Sequence, residues 1–139
     1  MERKPHILLV DDEADFLAPV SFWLQSKGYR VRTTLNGEEA IQLIKQELPD
    51  MVFLDIHMPG MDGLATLTQI RAISKDLPVI IVTAVYQNEK TFAKANELGI
   101  SGFFPKHSSL SELVRIIETS LRAHSKLKGS VQSEASPSP

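Results

Sequence analysis

Residues 51–63 read MVFLDIHMPGMDG, an apolar run that ends in Asp55 and passes directly into a loop rich in proline and glycine. A short apolar run without alternating polar positions predicts a strand buried on both faces, as in a parallel sheet. Such a strand carries its last side chain to the edge of the sheet. The chemistry of that edge then depends on which side chains the neighbouring strands place beside Asp55.

Short apolar segments and segments with helical periodicity alternate along the whole chain. The predicted strands are residues 6–10, 29–34, 51–55, 79–82 and 101–104. The predicted helices are residues 14–27, 40–48, 64–77, 88–98 and 110–121, with Pro19 inside the first, Asp62 as the cap of the third, and Ser108 or Ser109 as the cap of the last. An interior proline predicts a kink or a late start of the first helix. The alternation predicts an α/β fold: a doubly wound, five-stranded parallel sheet of order 2-1-3-4-5 with five helices, as in flavodoxin-like proteins.

Composition limits the classes of protein to consider. The chain has 139 residues, 42% of them hydrophobic and 23% charged, which is ordinary for a globular protein. The net charge of −2 predicts no direct binding of nucleic acid or of a membrane surface, and the absence of cysteine excludes disulfides and thiolate metal sites. No apolar run approaches membrane-spanning length, so a cytoplasmic protein is expected. We expect one domain over residues 1–124 and, from the serine, lysine and proline content, a disordered tail or linker over residues 125–139.

Complementary side chains follow four of the five predicted strands. Asp11 and Asp12 follow the first strand, Asp55 ends the third, Thr83 follows the fourth and Lys106 follows the fifth. Ligands bind at the carboxyl ends of such strands, beside the switch point between strands 1 and 3. Three carboxylates gathered there would repel one another, by about 4 kcal/mol per pair at 4 Å and an effective dielectric of 20, so either some are protonated or a cation is held there. Oxygen ligands without histidine or cysteine spacing favour a hard divalent cation, and Mg²⁺ fits best.

This set of groups favours phosphoryl transfer. An aspartate can attack a phosphoryl group and form an acyl phosphate, and a metal with a lysine neutralises charge on the equatorial oxygens. Taken singly, the aspartates and Thr83 would more often be helix caps, and Lys106 a solvated surface lysine. The functional interpretation rests on four strands ending in complementary groups together.

These residues resemble the receiver (CheY-like) domain of two-component response regulators, over residues 5–122. The motifs that carry the resemblance are Val10-Asp11-Asp12, Asp55 with Met58-Pro59-Gly60-Met61-Asp62-Gly63 after it, Thr83-Ala84, and Phe103 three residues before Lys106. The resemblance implies a phospho-acceptor rather than an enzyme, with at most autophosphorylation and autodephosphorylation activity. Its partners would be a sensor histidine kinase or a histidine phosphotransfer protein, and a downstream protein or an output domain.

The resemblance also assigns roles to single residues. Asp55 would accept the phosphoryl group, with Lys106 and Thr83 as its helpers. Asp12 and Asp55 would bind Mg²⁺ directly, Asp11 through water, and His57 through its backbone carbonyl. Thr83 would move towards the phosphoryl group and Phe103 would rotate inward. The face formed by the fourth helix, the fifth strand and the fifth helix would change as a result.

Four positions depart from the receiver pattern or bear on its chemistry. His107 follows Lys106 where receivers commonly have a cis proline, so the next loop is expected to be set differently. Gly102 stands where receivers that dimerise through the face just described often have an acidic residue, so at most a weak homodimer is expected. His57 and Val85, two residues after Asp55 and Thr83, are bulky enough to impede an attacking water, which predicts a long-lived phosphoryl group.

Two other classes of protein share parts of this pattern. Aspartate-nucleophile phosphohydrolases have a second aspartate two residues after the nucleophile, where this chain has His57. Flavin-binding proteins of the same fold need a phosphate loop after the first strand, where the acidic residues 11–13 would repel a phosphate. Both are weaker interpretations than the receiver.

Overall fold

The fold is a single five-stranded sheet between two layers of helices. The computed structural model describes residues 4–57, 62–83, 89–106 and 108–135. Its strands are β1 (His6–Val10), β2 (Arg30–Thr34), β3 (Met51–Asp55), β4 (Val79–Thr83) and β5 (Gly102–Pro105). Its helices are α1 (Ala14–Ser26), α2 (Gly37–Gln46), α3 (Gly63–Ile73), α4 (Glu89–Leu98) and α5 (Leu110–Ala135). The strands are parallel and lie in the order β2-β1-β3-β4-β5, which confirms the predicted topology.

The sheet has a hydrophobic core on each face because successive side chains of a strand point to opposite sides. In β1, Leu8 and Val10 belong to one core, while Ile7 and Leu9 belong to the other. All residues of β1, β3 and β4 are buried. The carboxyl ends of these three neighbouring strands are therefore held at fixed positions beside one another, as a binding site at this edge requires.

Helix α1 contains Pro19 and still spans Ala14–Ser26 without a late start. Of the two predicted alternatives, the late start is therefore wrong, and the kink stays a prediction. Proline cannot donate a backbone hydrogen bond within the helix. The free-energy cost of this missing bond is offset by the burial of Leu17, Val20 and Leu24 against the sheet. In the described part of the chain, no helix is long and apolar enough to span a membrane.

Helices α3 and α5 begin at capping residues that the sequence predicted. The side chain of Asp62 accepts a hydrogen bond from Ala65 N at 2.8 Å, which confirms Asp62 as the cap of α3. Ser109 Oγ accepts from Glu112 N at 3.2 Å, so Ser109 rather than Ser108 caps α5.

Helix α5 continues to Ala135 and so crosses the boundary after residue 124 that composition had indicated. Residues 125–135 are helical rather than irregular. The physical reason is that this segment contains several residues of high helix propensity, and Gly129 is its least favourable residue. The next proline along the chain is Pro137. Where the folded unit ends, and whether residues 125–139 act as a disordered tail or a linker, stays a prediction.

Arg71 on α3 joins the loop after α3 to the end of α4, a connection that no sequence pattern predicted. Its Nε donates to the carbonyls of Leu98 at 3.1 Å and Gly99 at 3.0 Å, at the end of α4. Its Nη1 donates to Ser74 O at 2.9 Å, and its Nη2 to Leu77 O and to Gly99 O, each at 2.8 Å. One planar guanidinium therefore satisfies carbonyls of two loops and ties α4 to α3.

His6 begins β1 at the edge of the sheet opposite the carboxyl ends. Its side chain is 3% exposed, and neither ring nitrogen has a hydrogen-bond partner among the described residues. Burial, and then the nearby charge of Arg30, lower the pKa of His6 from its ordinary 6.5, although Glu47 and Asp50 oppose this. Folding therefore favours the neutral form of His6.

We expect His6 to make the fold sensitive to acid. The unfolded chain takes up the proton first as the pH falls, so stability present above pH 6.5 is lost as the pH falls below it. Urea unfolding between pH 5 and 8 should show the parent losing stability relative to His6→Leu as the pH falls below 6.5, because leucine has no group to protonate, whereas the raised pKa of Asp11 affects both proteins alike. His57→Gln, which removes an exposed histidine, should keep the parent's profile. Equal pH profiles for His6→Leu and the parent would contradict the prediction.

Candidate functional site

Three carboxylates meet at the carboxyl edge of the sheet. Asp11 follows β1 and Asp55 ends β3, its neighbour in the sheet. Oxygen atoms of Asp11, Asp12 and Asp55 all lie within 4.8 Å of one another. Asp11 and Asp55 are 1% and 2% exposed, whereas Asp12 faces solvent. The pocket thus has a buried floor of two carboxylates and an open side at Asp12.

Backbone amides fix the two buried carboxylates. Asp11 Oδ1 accepts from Glu13 N at 2.8 Å, and Asp55 Oδ1 accepts from His57 N at 3.0 Å. Each is a bond to the amide two residues further on, typical of aspartate at the start of a loop. Asp11 N also donates to Thr34 O at 3.1 Å, which extends the pairing of β1 with β2. The acidic groups are therefore held in one orientation before any ligand arrives.

Lys106 follows β5 and reaches across to both strands. Its Nζ lies 3.0 Å from Asp11 Oδ2 and 3.3 Å from Asp55 Oδ2, and the side chain is 6% exposed. It also forms an ion pair with Glu13, and it lies 5.3 Å from the centre of the Phe16 ring. Lys106 N donates to Thr83 O at 3.0 Å, which fixes the start of the side chain. A single ammonium group thus bridges the acidic groups of β1 and β3.

Burial dominates the electrostatics of these groups. It raises the pKa of Asp11 to about 6 and raises the pKa of Asp55 above its ordinary value, because both carboxylates have lost water. Burial alone would lower the pKa of Lys106, but its contacts with Glu13 and Asp11 outweigh burial and raise it. The pocket therefore favours the charged form of Lys106, and an additional cation would stabilise the charged forms of the two buried carboxylates.

The donor set suits Mg²⁺. All candidate ligand atoms at the cluster are carboxylate oxygens, which hard divalent cations prefer. Asp11 Oδ2 is buried and, among the described residues, has no hydrogen-bond donor of suitable geometry, although Lys106 lies at ion-pair distance. A buried carboxylate oxygen without a donor can accept a hydrogen bond from a water molecule that is bound to a cation. The residues present therefore fit the ion.

The other predicted site residues lie on β4, on β5 and in the segment after β3. Thr83 ends β4 and is fully buried, while His57 is exposed in the segment after β3. Phe103 on β5 is half-buried and meets Phe92 of α4 edge to face, with ring centres 4.9 Å apart. The remaining residues of the motif, 58–61 and Ala84, and the departures Val85 and His107 lie outside the described residues. The slow loss of phosphate expected from His57 and Val85 stays a prediction.

Sequence reasoning missed the role of Glu13, which had been noted only as part of an acidic run. Its contact with Lys106 joins residues far apart in the chain and depends on how α1 leaves the pocket. The one signal in the sequence was the position of Glu13, which lies two residues after Asp11 and directly before helix α1. Phe16 of this helix lies beside Lys106, at the end of β5.

The chain matches the response regulator receiver domain family over residues 7–118. It therefore belongs to this family, and it is a CheY-like receiver domain of two-component signalling. Among curated relatives, the transcriptional regulatory protein PrrA of Mycobacterium tuberculosis is 35% identical over 118 residues, which are 85% of this chain and 50% of PrrA. The chain spans about half the length of the curated relatives it matches.

Solved structures agree with this assignment. NtrX from Brucella abortus, in complex with ADP, superimposes with a TM-score of 0.84 at 32% identity, covering 94% of this chain and 30% of that one. A CheY-like response regulator receiver domain protein from Methanospirillum hungatei JF-1 superimposes with a TM-score of 0.85 at 23% identity, covering 89% of this chain and 98% of that one. The second likeness supports the fold alone.

Proposed function

We propose that Asp55 accepts a phosphoryl group from the phosphohistidine of a sensor histidine kinase or a histidine phosphotransfer protein, with Mg²⁺ bound in the acidic pocket. The observation that carries this proposal is the meeting of Asp11, Asp12 and Asp55 around the ammonium group of Lys106. Asp12 and Asp55 would bind the ion directly, Asp11 through water and His57 through its backbone carbonyl. The ion would neutralise negative charge on the phosphoryl group as it arrives.

The chemistry follows from the positions of the side chains. A carboxylate oxygen of Asp55 attacks phosphorus, the phosphorus–nitrogen bond of phosphohistidine breaks, and the imidazole leaves with the electron pair. Asp55 is held by the His57 amide, so the attacking group does not have to be oriented first. Lys106 lies 3.3 Å from Asp55 Oδ2, close enough to stabilise the equatorial oxygens of the transferred group.

The added charge would then act as a switch. An acyl phosphate brings about two negative charges to a site that is otherwise buried. Thr83 ends β4 next to this site, and Phe103 packs on Phe92 of α4. Movement of Thr83 towards the phosphoryl group and of Phe103 inward would alter the face formed by α4, β5 and α5. This face would control a downstream protein or an output domain.

Incubation with acetyl phosphate and Mg²⁺ tests the assignment. Intact-mass measurement should show one phosphoryl increment on the parent and none on Asp55→Asn, because an amide oxygen is too weak a nucleophile. Asp50→Asn serves as a matched control, since it changes an aspartate near the opposite edge of the sheet, where its side chain accepts from His6 N. No increment on the parent, or an equal one on Asp55→Asn, would refute the phospho-acceptor assignment. Omission of Mg²⁺ should reduce the rate strongly.

A further inference from the structure

The ammonium group of Lys106 has no donor left for a phosphoryl oxygen. Lysine has three N–H donors and no acceptor. Among the described residues, Nζ of Lys106 contacts three carboxylates: Asp11 at 3.0 Å, Asp55 at 3.3 Å, and Glu13. Each donor can therefore be assigned to one carboxylate. A phosphoryl group that arrives at Asp55 has to displace one of them before it can use this lysine.

Glu13 is the contact that costs least to release. Its side chain is 61% exposed, whereas those of Asp11 and Asp55 are 2% and 3% exposed. A released Glu13 carboxylate regains water, but a released Asp11 would stay buried without its cation. The backbone amide of Glu13 is bound to Asp11 Oδ1, so the backbone can stay in place while the side chain moves.

We propose that Glu13 is a competing anion that occupies Lys106 until the phosphoryl group replaces it. This inference rests on the proposed function of Asp55. With acetyl phosphate, an Asp55 oxygen bonds to phosphorus, the phosphorus–oxygen bond to acetate breaks, and acetate leaves with the electron pair. During this step Lys106 exchanges the Glu13 carboxylate for a phosphoryl oxygen. Glu13 therefore slows phosphorylation and weakens the binding of phosphoryl-like anions, and it is a positioning residue acting through Lys106.

Glu13→Gln tests the exchange because it removes the charge and keeps the size. The matched control is Asp15→Asn, which makes the same change in net charge two residues away, on the exposed first turn of α1. We expect Glu13→Gln to take up the phosphoryl group from acetyl phosphate about 2- to 5-fold faster than the parent, since a partly exposed ion pair is worth little. Asp15→Asn should stay within about 1.5-fold of the parent, because charges further away are screened.

Beryllofluoride binding gives a second readout that needs no transfer step. An NMR titration in Mg²⁺ should show tighter binding of beryllofluoride to Glu13→Gln than to the parent or to Asp15→Asn. A Glu13→Gln variant that is no faster and binds no tighter than Asp15→Asn would overturn the exchange while leaving Asp55 as the acceptor. A parent without any phosphoryl increment would instead refute the proposed function, and the titration would still test Glu13.

Discussion

Gly63→Ala is expected to lower the free energy of unfolding by about 3 kcal/mol or more, the upper range for forcing extra atoms into a packed site. A Cβ at residue 63 would lie 2.4 Å from the Cα of Ile56 and 2.6 Å from the carbonyl oxygen of Asp55. Both are backbone atoms, so no side chain can rotate away to make room. The clash can be relieved only by moving the start of α3 or the end of β3.

The same substitution should impair the site, since β3 ends at Asp55. Gly63 N donates to Ile56 O at 3.3 Å, so α3 begins directly against the residue that follows Asp55. A displaced β3 end would change the distance between Asp55 and Lys106. Phosphorylation of Gly63→Ala by acetyl phosphate should therefore be slower than that of the parent, even at a temperature where both are folded.

Urea unfolding followed by circular dichroism measures the loss of stability. Gly102→Ala is the matched control, because among the described residues a Cβ there would meet only the Cδ1 atom of Ile80, at an ordinary 3.7 Å. We expect the control to change stability by less than about 1 kcal/mol. If Gly63→Ala were as stable as Gly102→Ala, the close approach of α3 to β3 would be refuted.

Periodicity and strand ends were enough to predict the fold. The alternation of apolar runs with helical patterns predicted five strands, and the common order of five-stranded doubly wound sheets predicted their arrangement. The meeting of Asp11 and Asp55 follows from that order alone, since β1 and β3 are neighbours. These features depend on the chain's local pattern and on general rules of parallel sheets.

Features that depend on distant contacts could not be predicted in this way. The contact of Glu13 with Lys106 and the bonds of Arg71 to the end of α4 depend on how side chains from separate elements approach one another. The need for glycine at residue 63 depends on the small gap between α3 and β3. The sequence indicated only that His6 lies in a strand. Burial of its ring nitrogens without hydrogen-bond partners among the described residues depends on how the edge of the sheet packs.

Lys106→Met is expected to destabilise the metal-free chain by about 3 kcal/mol, the lower range for removing one partner of a buried ion pair. Asp11 and Asp55 would remain buried, 1% and 2% exposed, without the ammonium group that contacts both. Methionine has about the length of the apolar part of the lysine side chain, so the packing beside Phe16 is kept. The substitution therefore removes mainly the positive charge. Addition of Mg²⁺ should recover part of the loss, since a cation bound only by the folded chain stabilises it.

A double-mutant cycle with Asp55→Asn separates the ion pair from a general effect of the lysine. Lys106→Met should cost less in the Asp55→Asn background, because one buried carboxylate is then neutral, and we expect a coupling of about 1–2 kcal/mol. Lys94→Met is the matched control: Lys94 is 57% exposed and lies 3.8 Å from Glu97, so its loss should change stability by less than about 0.5 kcal/mol. Strictly additive losses in the cycle would mean that Lys106 does not stabilise the charge of Asp55. The same ammonium group would then be a poor candidate for stabilising charge on a phosphoryl group at that position.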